Sequence, residues 1–204
     1  MTIEPTVFSH CGAFNAGTPS ATMNTGTPSE AATHDDIPEG FANLSETSRK
    51  HVQGAIDMHR LYLEEGDLIP PTFIIEHSKS VVLLPIDGSS QQAKDFSAET
   101  ARKVAAMSNS EFVAFVSMVW VLPESQFQNS SSILAKYGSI KKYPGSLQRA
   151  FVNLETRTCR YCALIPVLPC PPSKMRKKLG AVVWERTEGG GGTFDAILPL
   201  DSAH

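Results

Sequence analysis

The chain has 204 residues, a formal net charge of −3 and a hydrophobic content of 41%. This length fits one ordinary domain, or one domain with an appendage. The longest apolar run, from Phe112 to Pro123, is shorter than the about 20 residues that a membrane-spanning helix needs. The first basic residue is Arg49, so the start lacks the features of a secretory signal or a transit peptide. We therefore expect a cytoplasmic protein with no membrane contact, in which the four cysteines are reduced thiols.

The first forty residues differ in composition from the rest of the chain. They are rich in Thr, Ser, Gly, Ala and Pro, and almost all the large aliphatic residues come after Phe41. A segment of this kind cannot bury enough apolar surface to offset the entropy that it would lose on ordering. The sequence predicts a disordered tail over residues 1–42 and a single folded domain over residues 43–204.

The first predicted elements of the domain are a helix and a β-hairpin. Apolar side chains recur at three- and four-residue spacing from about Glu46 to Glu65, which is typical of one buried helix face. Gly66 suits the left-handed position just beyond the end of that helix. Residues 72–77 and 80–84 are rich in β-branched side chains and are separated by two polar residues. This pattern predicts two antiparallel strands joined by a tight turn.

The remaining pattern predicts one more helix and several strands. The helix is expected over about 98–107, with Ser97 as its N-cap. The apolar run at 112–121 indicates a central strand that is covered on both faces, and residues 123–147 are polar and turn-rich. Later strands are expected in two pairs, 150–157 with 161–168 and 181–186 with 194–200, the second pair joined by glycines 189–192. Hairpins dominate, so the predicted fold is α+β, with a mainly antiparallel sheet of about six to seven strands and two helices.

The net charge conceals a strong asymmetry along the chain. Residues 1–135 carry 16 acidic and 7 basic residues, whereas residues 136–178 carry ten basic residues and one acidic residue, Glu155. The ten basic residues are Lys136, Lys141, Lys142, Arg149, Arg157, Arg160, Lys174, Arg176, Lys177 and Lys178. The last four lie in a segment flanked by prolines and a glycine, which we expect to be an exposed loop.

The basic stretch is interleaved with aromatic residues, and this combination suggests a binding role. Cations neutralise phosphates and release counterions, while aromatic rings stack on exposed bases. We therefore expect a small non-enzymatic binding or regulatory protein whose ten basic residues engage an anionic partner, either nucleic acid or an acidic protein surface. The other possibility is that the basic strands pack beside the acidic helices of the same chain and that the charges neutralise one another.

An enzymatic function remains open as the alternative. Glu76, His77 and Asp87, together with Ser80, could assemble a hydrolase-like site near one end of the sheet. The usual nucleophile-elbow and metallohydrolase motifs are absent, so nothing in the spacing of these residues requires such a site. No catalytic residue is assigned, and we expect no cofactor.

The cysteines provide a third possibility. Cys159 and Cys162 have the two-residue gap of a zinc knuckle, and Cys170 follows eight positions later. Structural zinc typically takes two such pairs, and the second pair is missing. We therefore assign no metal site and expect buried or turn thiols.

Overall fold

The computed structural model of the protein describes residues 44–67, 70–77, 80–187, 194 and 196–198. Its helices are α1 (Glu46–Glu65), α2 (Gln91–Ser108) and α3 (Ser130–Tyr137). Its strands are β1 (Thr72–His77), β2 (Ser80–Pro85), β3 (Phe112–Val121), β4 (Leu147–Thr156), β5 (Arg160–Cys170), β6 (Ser173–Leu179) and β7 (Trp184–Thr187). The predicted tail over residues 1–42 and the glycines 189–192 lie outside the described residues. Among the described helices, none is long and apolar enough to cross a membrane.

The predicted bounds of α1 are confirmed, and its two ends explain them. Ser45 is the N-cap, and its Oγ accepts a hydrogen bond of 3.1 Å from Ser48 N. Gly66 follows the last turn with φ at +93°, a left-handed conformation that costs a glycine little. Both ends thus satisfy backbone groups that the helix itself leaves unpaired.

The predicted start of α2 is wrong. The helix begins at Gln91, because Ser90 Oγ caps it by accepting from Ala93 N at 3.0 Å. Ser97, the predicted cap, lies inside the helix and donates to Ala93 O at 2.9 Å. The first two turns of α2 are mostly polar and have no apolar periodicity. The apolar pattern of the sequence therefore indicates only the later half of the helix. The predicted count of two helices is also too low, because α3 forms within the region that reads as turns.

The seven strands form an antiparallel sheet, as predicted. The order is β2-β1-β3-β4-β5-β6, and β7 also pairs with β5. β3 and β4 pair along their whole length, from Phe112 opposite Thr156 to Val121 opposite Leu147. We call the end of the sheet at the Phe112–Thr156 pair the polar end, and the end at the Val121–Leu147 pair the basic end. Ten strand residues separate them by about 30 Å.

The segment predicted as a basic loop is strand β6. It forms a hairpin with β5 around the turn Pro171-Pro172. β7 then continues along the same edge of β5, so that residues 180–183 of the connection oppose residues 164–166 of β5. The connection therefore has one more residue than the part of β5 opposite it, which is a bulge. Gly180 N donates a hydrogen bond of 2.8 Å to Pro166 O at this bulge.

The end of the chain also differs from the prediction. The sequence predicts a strand over 194–200, but the described residues 194 and 196–198 are not in strand conformation. Phe194, Ile197 and Leu198 pack instead into the core on one face of the sheet. The expected strand at 181–186 is shorter, since β7 covers Trp184–Thr187.

The two faces of the sheet are covered by different helices. On one face, which we call the α1 face, Val52 and Ile56 of α1 pack with Ile74, Val152 and other apolar strand residues. On the opposite face, the α2 face, the alanines of α2 pack on Phe73, Phe115 and their neighbours. The central strand β3 is therefore apolar on both faces, as its sequence predicts.

Candidate functional site

The ten basic residues predicted to bind an anion lie at the two ends of the sheet. Arg157 and Arg160 follow β4 and begin β5 at the polar end. The other eight belong to the basic end and its hairpin: Lys136, Lys141, Lys142, Arg149, Lys174, Arg176, Lys177 and Lys178. Within the part of the chain that the structure describes, no ion pair involves any of these eight.

The β5–β6 hairpin tip carries exposed cations. The β5–β6 register shifts where Cys170 pairs with Ser173, so residues 174–176 bulge from the ladder. Ser173 Oγ holds the bulge by accepting from Met175 N at 3.2 Å and Arg176 N at 3.0 Å. The backbone of Gly66 packs so closely that an added Cβ would lie 3.2 Å from Met175 Cβ. α1 therefore supports the bulge from one side and leaves Lys174 and Arg176 exposed.

Beyond the bulge, the ladder assigns each side chain to a face. Lys178 pairs with Leu168 and projects to the α2 face, whereas Lys177 pairs with Pro169 and projects to the α1 face. Arg149 pairs with Pro166 and also belongs to the α2 face. The hairpin cations thus continue from its tip along the α2 face towards β4.

Apolar side chains lie between these cations on the α2 face. Leu164 and Leu168 of β5 are 45% and 47% exposed. Leu164 pairs with Phe151 of β4, which is half-buried and meets the ring of Phe115 edge-on at 6.1 Å. We call the surface formed by Arg149, Phe151, Leu164, Leu168 and Lys178 the basic–apolar face. Its mixture of exposed leucines and cations differs from an ordinary solvated strand face.

The three remaining lysines lie in the connection between β3 and β4. Lys136 lies in the last turn of α3, with its Nζ 5.2 Å from the ring centroid of Tyr137. Tyr137 packs edge-on against Tyr143 at 5.6 Å. Lys141 and Lys142 lie in a 3-10 turn over Ile140–Lys142 and are exposed. The turn contacts β3, so these lysines belong to the basic end.

Arg157 and Arg160 have structural partners at the polar end. Arg157 donates from Nε to Ser110 O at 3.1 Å and from a terminal nitrogen to Asn109 Oδ1 at 2.8 Å, which holds the loop after α2. Arg160 lies opposite Glu155 with 4.0 Å between Nε and Oε1. Neither guanidinium lies at the basic end, so the ten predicted residues do not form one surface.

The polar end contains a cluster that the sequence does not reveal. Ser48 Oγ lies 2.5 Å from Glu76 Oε1 and 2.8 Å from Glu111 Oε2, and Glu76 Oε2 accepts from Glu111 N at 2.9 Å. Ser45 N also donates to Glu111 Oε2. The hydrogen bond from Ser48 is the main reason why the pKa of the Glu111 carboxyl lies below its ordinary value. The cluster joins the start of α1 to the end of β1 and the start of β3.

A shallow cavity of about 350 Å³ opens beside this cluster. Its lining is polar and includes Thr47, Asn109, Glu76 and Glu111. The same carboxylates already accept the hydrogen bonds that anchor α1, so their oxygens serve the fold. Among the described residues, no group of three or more His, Cys, Asp or Glu side chains is arranged to hold a metal ion.

The residues of the hydrolase alternative are not brought together. Glu76 is buried on the α1 face, whereas His77 is exposed and its Nδ1 lies 2.8 Å from Ser108 Oγ. Ser80 lies opposite His77, but Asp87 follows Pro85, which pairs with Thr72 at the other end of the hairpin. That end is about 17 Å away along the strand. Hydrogen bonds from Ser89 hold the pKa of the Asp87 carboxyl below its ordinary value, as in a local turn.

The three described cysteines also remain apart. Cys159 packs in the core of the α1 face, whereas Cys162 pairs with Asn153 and projects to the α2 face. Cys170 lies at the far end of β5. Burial raises the pKa of the Cys159 thiol, but hydrogen bonds involving Thr156, Thr158 and Tyr161 outweigh it, so the pKa lies below its ordinary value. Cys159 is thus part of the turn between β4 and β5, held by Thr156.

One feature of the sequence does indicate the polar cluster, namely a serine on the buried face of α1. Ser48 lies one helical turn before Val52, on the same apolar stripe that continues to Leu63. A hydroxyl on a buried stripe needs a polar partner, and here that partner is the pair of carboxylates Glu76 and Glu111.

Comparison with known proteins adds no further signal, because no family model, curated protein or solved structure matches the chain.

Proposed function

We propose that the protein binds an anionic macromolecule through the basic end of its sheet. The observation that carries this proposal is the placement of eight basic residues at that end with no ion pair among the described residues. Two of them, Lys174 and Arg176, occupy an exposed bulge that α1 supports. A group of neighbouring like charges favours any partner that supplies the opposite charge.

The fold separates this surface from the acidic cluster at the polar end, whereas the acidic residues Glu64, Glu65 and Asp67 flank Gly66 beside the β5–β6 bulge. The acidic cluster around Glu76 and Glu111 lies at the polar end, about 30 Å away along β3 and β4. Several cations of α1 and α2 already have carboxylate partners on their own helix, as in the pairs Lys50–Glu46 and Lys103–Glu99. At ordinary ionic strength the potential of charges farther away than about 8–10 Å is largely screened. The net charge of −3 therefore says little about the local field at the basic end.

Retention on a heparin column tests the proposal. We expect the protein to bind at low salt in spite of its acidic net charge, and to elute as salt releases the contacts. The triple variant K174Q/R176Q/K178Q should elute at clearly lower salt. A matched control, K50Q/K94Q/K103Q, removes the same amount of charge from α1 and α2 and should elute close to the unaltered protein.

Two results would contradict the proposal. The first is passage of the unaltered protein through the column at low salt. The second is an equal shift of both triple variants, which would mean that retention follows net charge and not the basic end. Circular dichroism of each variant shows that the comparison is made between folded proteins.

A further inference from the structure

We infer that the anionic partner is a single-stranded nucleic acid and that the basic–apolar face is the surface on which it lies. This inference rests on the proposed function and specifies its partner. The evidence is the alternation of cationic and apolar side chains on the exposed α2 face of β4, β5 and β6. Recognition of charge alone does not require the exposed side chains of Leu164 and Leu168 between the cations.

The cross-strand pairs define the layout of this face. Phe151 lies beside Leu164, Arg149 beside Pro166, and Leu168 beside Lys178. Directly paired side chains lie about 5 Å apart, and successive side chains on one face are about 7 Å apart along a strand. Phe151 therefore lies about 7 Å from Arg149 along β4, and Leu168 lies about 5 Å from Lys178 across the strands.

The chemistry of this layout matches a chain of phosphates with exposed bases. Arg149 and Lys178 can pair with phosphates, and Lys174 and Arg176 continue the charge to the hairpin tip. Phe151, Leu164 and Leu168 can contact base faces, which a single strand exposes and a duplex stacks inside. Among the described residues, α2 packs over the β1 and β3 side of this face and Leu198 bonds to Glu155 at the polar end of β4, so Leu164 and Leu168 stay 45% and 47% exposed.

An acidic protein segment also offers negative charge, but it fits this face less well. Carboxylates on a peptide are separated by side chains of varied chemistry, whereas bases are uniformly flat and apolar on their faces. Sequence-tolerant binding of a single strand combines cations with aromatic platforms, and here Phe151 is the aromatic residue of the face, with Leu164 and Leu168 as further apolar contacts. We therefore favour nucleic acid, and an acidic peptide serves as a competitor in the test.

The test is fluorescence anisotropy with three probes at the same low salt: a labelled oligothymidylate, a labelled duplex of equal length and a labelled polyglutamate. We expect the tightest binding for the oligothymidylate. The variant L164S/L168S should weaken it about five- to tenfold, because apolar contact with the bases is lost. The same variant should elute from heparin at the position of the unaltered protein, since no charge changes. The control L61S/M107S alters two exposed apolar residues on the helices and should leave the affinity unchanged.

Each other outcome overturns a defined part of the account. Equal affinity for single strand and duplex, together with no effect of L164S/L168S, would refute the single-strand inference and leave anion binding intact. Tighter binding of polyglutamate would also refute it, in favour of an acidic protein partner. Failure to bind heparin and every probe would refute the proposed function itself.

Discussion

Arg160 lies directly opposite Glu155 across β4 and β5, with 4.0 Å between its Nε and the carboxylate Oε1. Glu155 is the single acidic residue between positions 136 and 178, so this cross-strand relationship joins it to one of the ten cations in that stretch. Glu155 Oε2 also accepts from Leu198 N at 2.8 Å and fixes the C-terminal segment on the α2 face. Arg160 therefore contributes to the fold and is separate from the basic end.

The two arginines of the polar end should affect stability and leave anion binding unchanged. R160Q removes the cation that lies 4.0 Å from the buried Glu155 carboxylate and should lower the free energy of unfolding by about 3 kcal/mol. R157Q removes two hydrogen bonds and should cost about 1–3 kcal/mol. Urea denaturation measures both changes, and heparin elution should stay constant.

K178Q is the opposite case and serves as the control for the arginine variants. Its side chain is exposed, so stability should change by no more than about 0.5 kcal/mol while elution moves to lower salt. Earlier elution of R157Q and R160Q to the same extent as K178Q would show that the division between the two ends of the sheet is wrong.

Ser48 should prove important for attaching α1 to the sheet. S48A removes the hydroxyl that lies between the Glu76 and Glu111 carboxyl groups, and the loss of the hydrogen bond from its single proton should cost about 1–3 kcal/mol. Denaturant unfolding of S48A measures this cost, and S131A on the exposed start of α3 is the control. Equal stability of the two variants would mean that the cluster does not anchor the helix.

A buried histidine makes stability depend on pH. His59 is 4% exposed, and burial lowers its pKa below the ordinary 6.5, while its Nδ1 lies 2.8 Å from Ala55 O. The unfolded chain takes up this proton near pH 6.5 and the folded chain resists it, so stability is full above about pH 6.5 and falls as the pH drops below that value.

The variant H59L tests this dependence. The unaltered protein should lose melting temperature between pH 7.5 and about pH 5.5, and H59L should lose less over the same interval. H77Q, which alters an exposed histidine, should retain the pH dependence of the unaltered protein. Identical pH profiles for H59L and the unaltered protein would exclude His59 as the source.

Two glycines, one inside α1 and one just beyond its end, should respond in opposite directions to alanine. Gly66 has φ at +93° and packs against Met175, so G66A should destabilise the protein by about 1–2 kcal/mol. Gly54 is inside the helix with open space around it, so G54A should stabilise it by about 0.5–1 kcal/mol. Thermal unfolding of both variants checks the signs, and destabilisation by G54A would contradict the account of α1.

The sequence predicts those elements whose apolar pattern is complete. The bounds of α1 follow from its buried stripe, and β3 follows from a run that is apolar on both faces. β6 could not be recognised, because Lys174, Arg176 and Lys178 give it no apolar alternation. Its strand conformation depends on the neighbouring β5, which supplies the backbone partners. The start of α2 does not follow from the apolar pattern for a related reason, because its first turns after Ser90 are mostly polar.

The candidate site was predictable in its charge but not in its geometry. The ten basic residues are visible in the chain, whereas the separation of Arg157 and Arg160 from the others depends on the register of β4 with β5. The exposure of Leu164 and Leu168 depends on which part of the α2 face the helix covers. Long-range pairing decides both features, and local sequence patterns carry no information about it.

The salt dependence of oligothymidylate binding tests the central claim most directly. The slope of the logarithm of the binding constant against the logarithm of salt concentration counts phosphate contacts, at about 0.7 for each contact on a single strand. The variant K174Q/R176Q/K178Q should therefore reduce the magnitude of the slope by about 2, and K50Q/K94Q/K103Q should leave it unchanged. An unchanged slope for the first variant, or an equal reduction for both, would contradict a phosphate-binding role for the basic end.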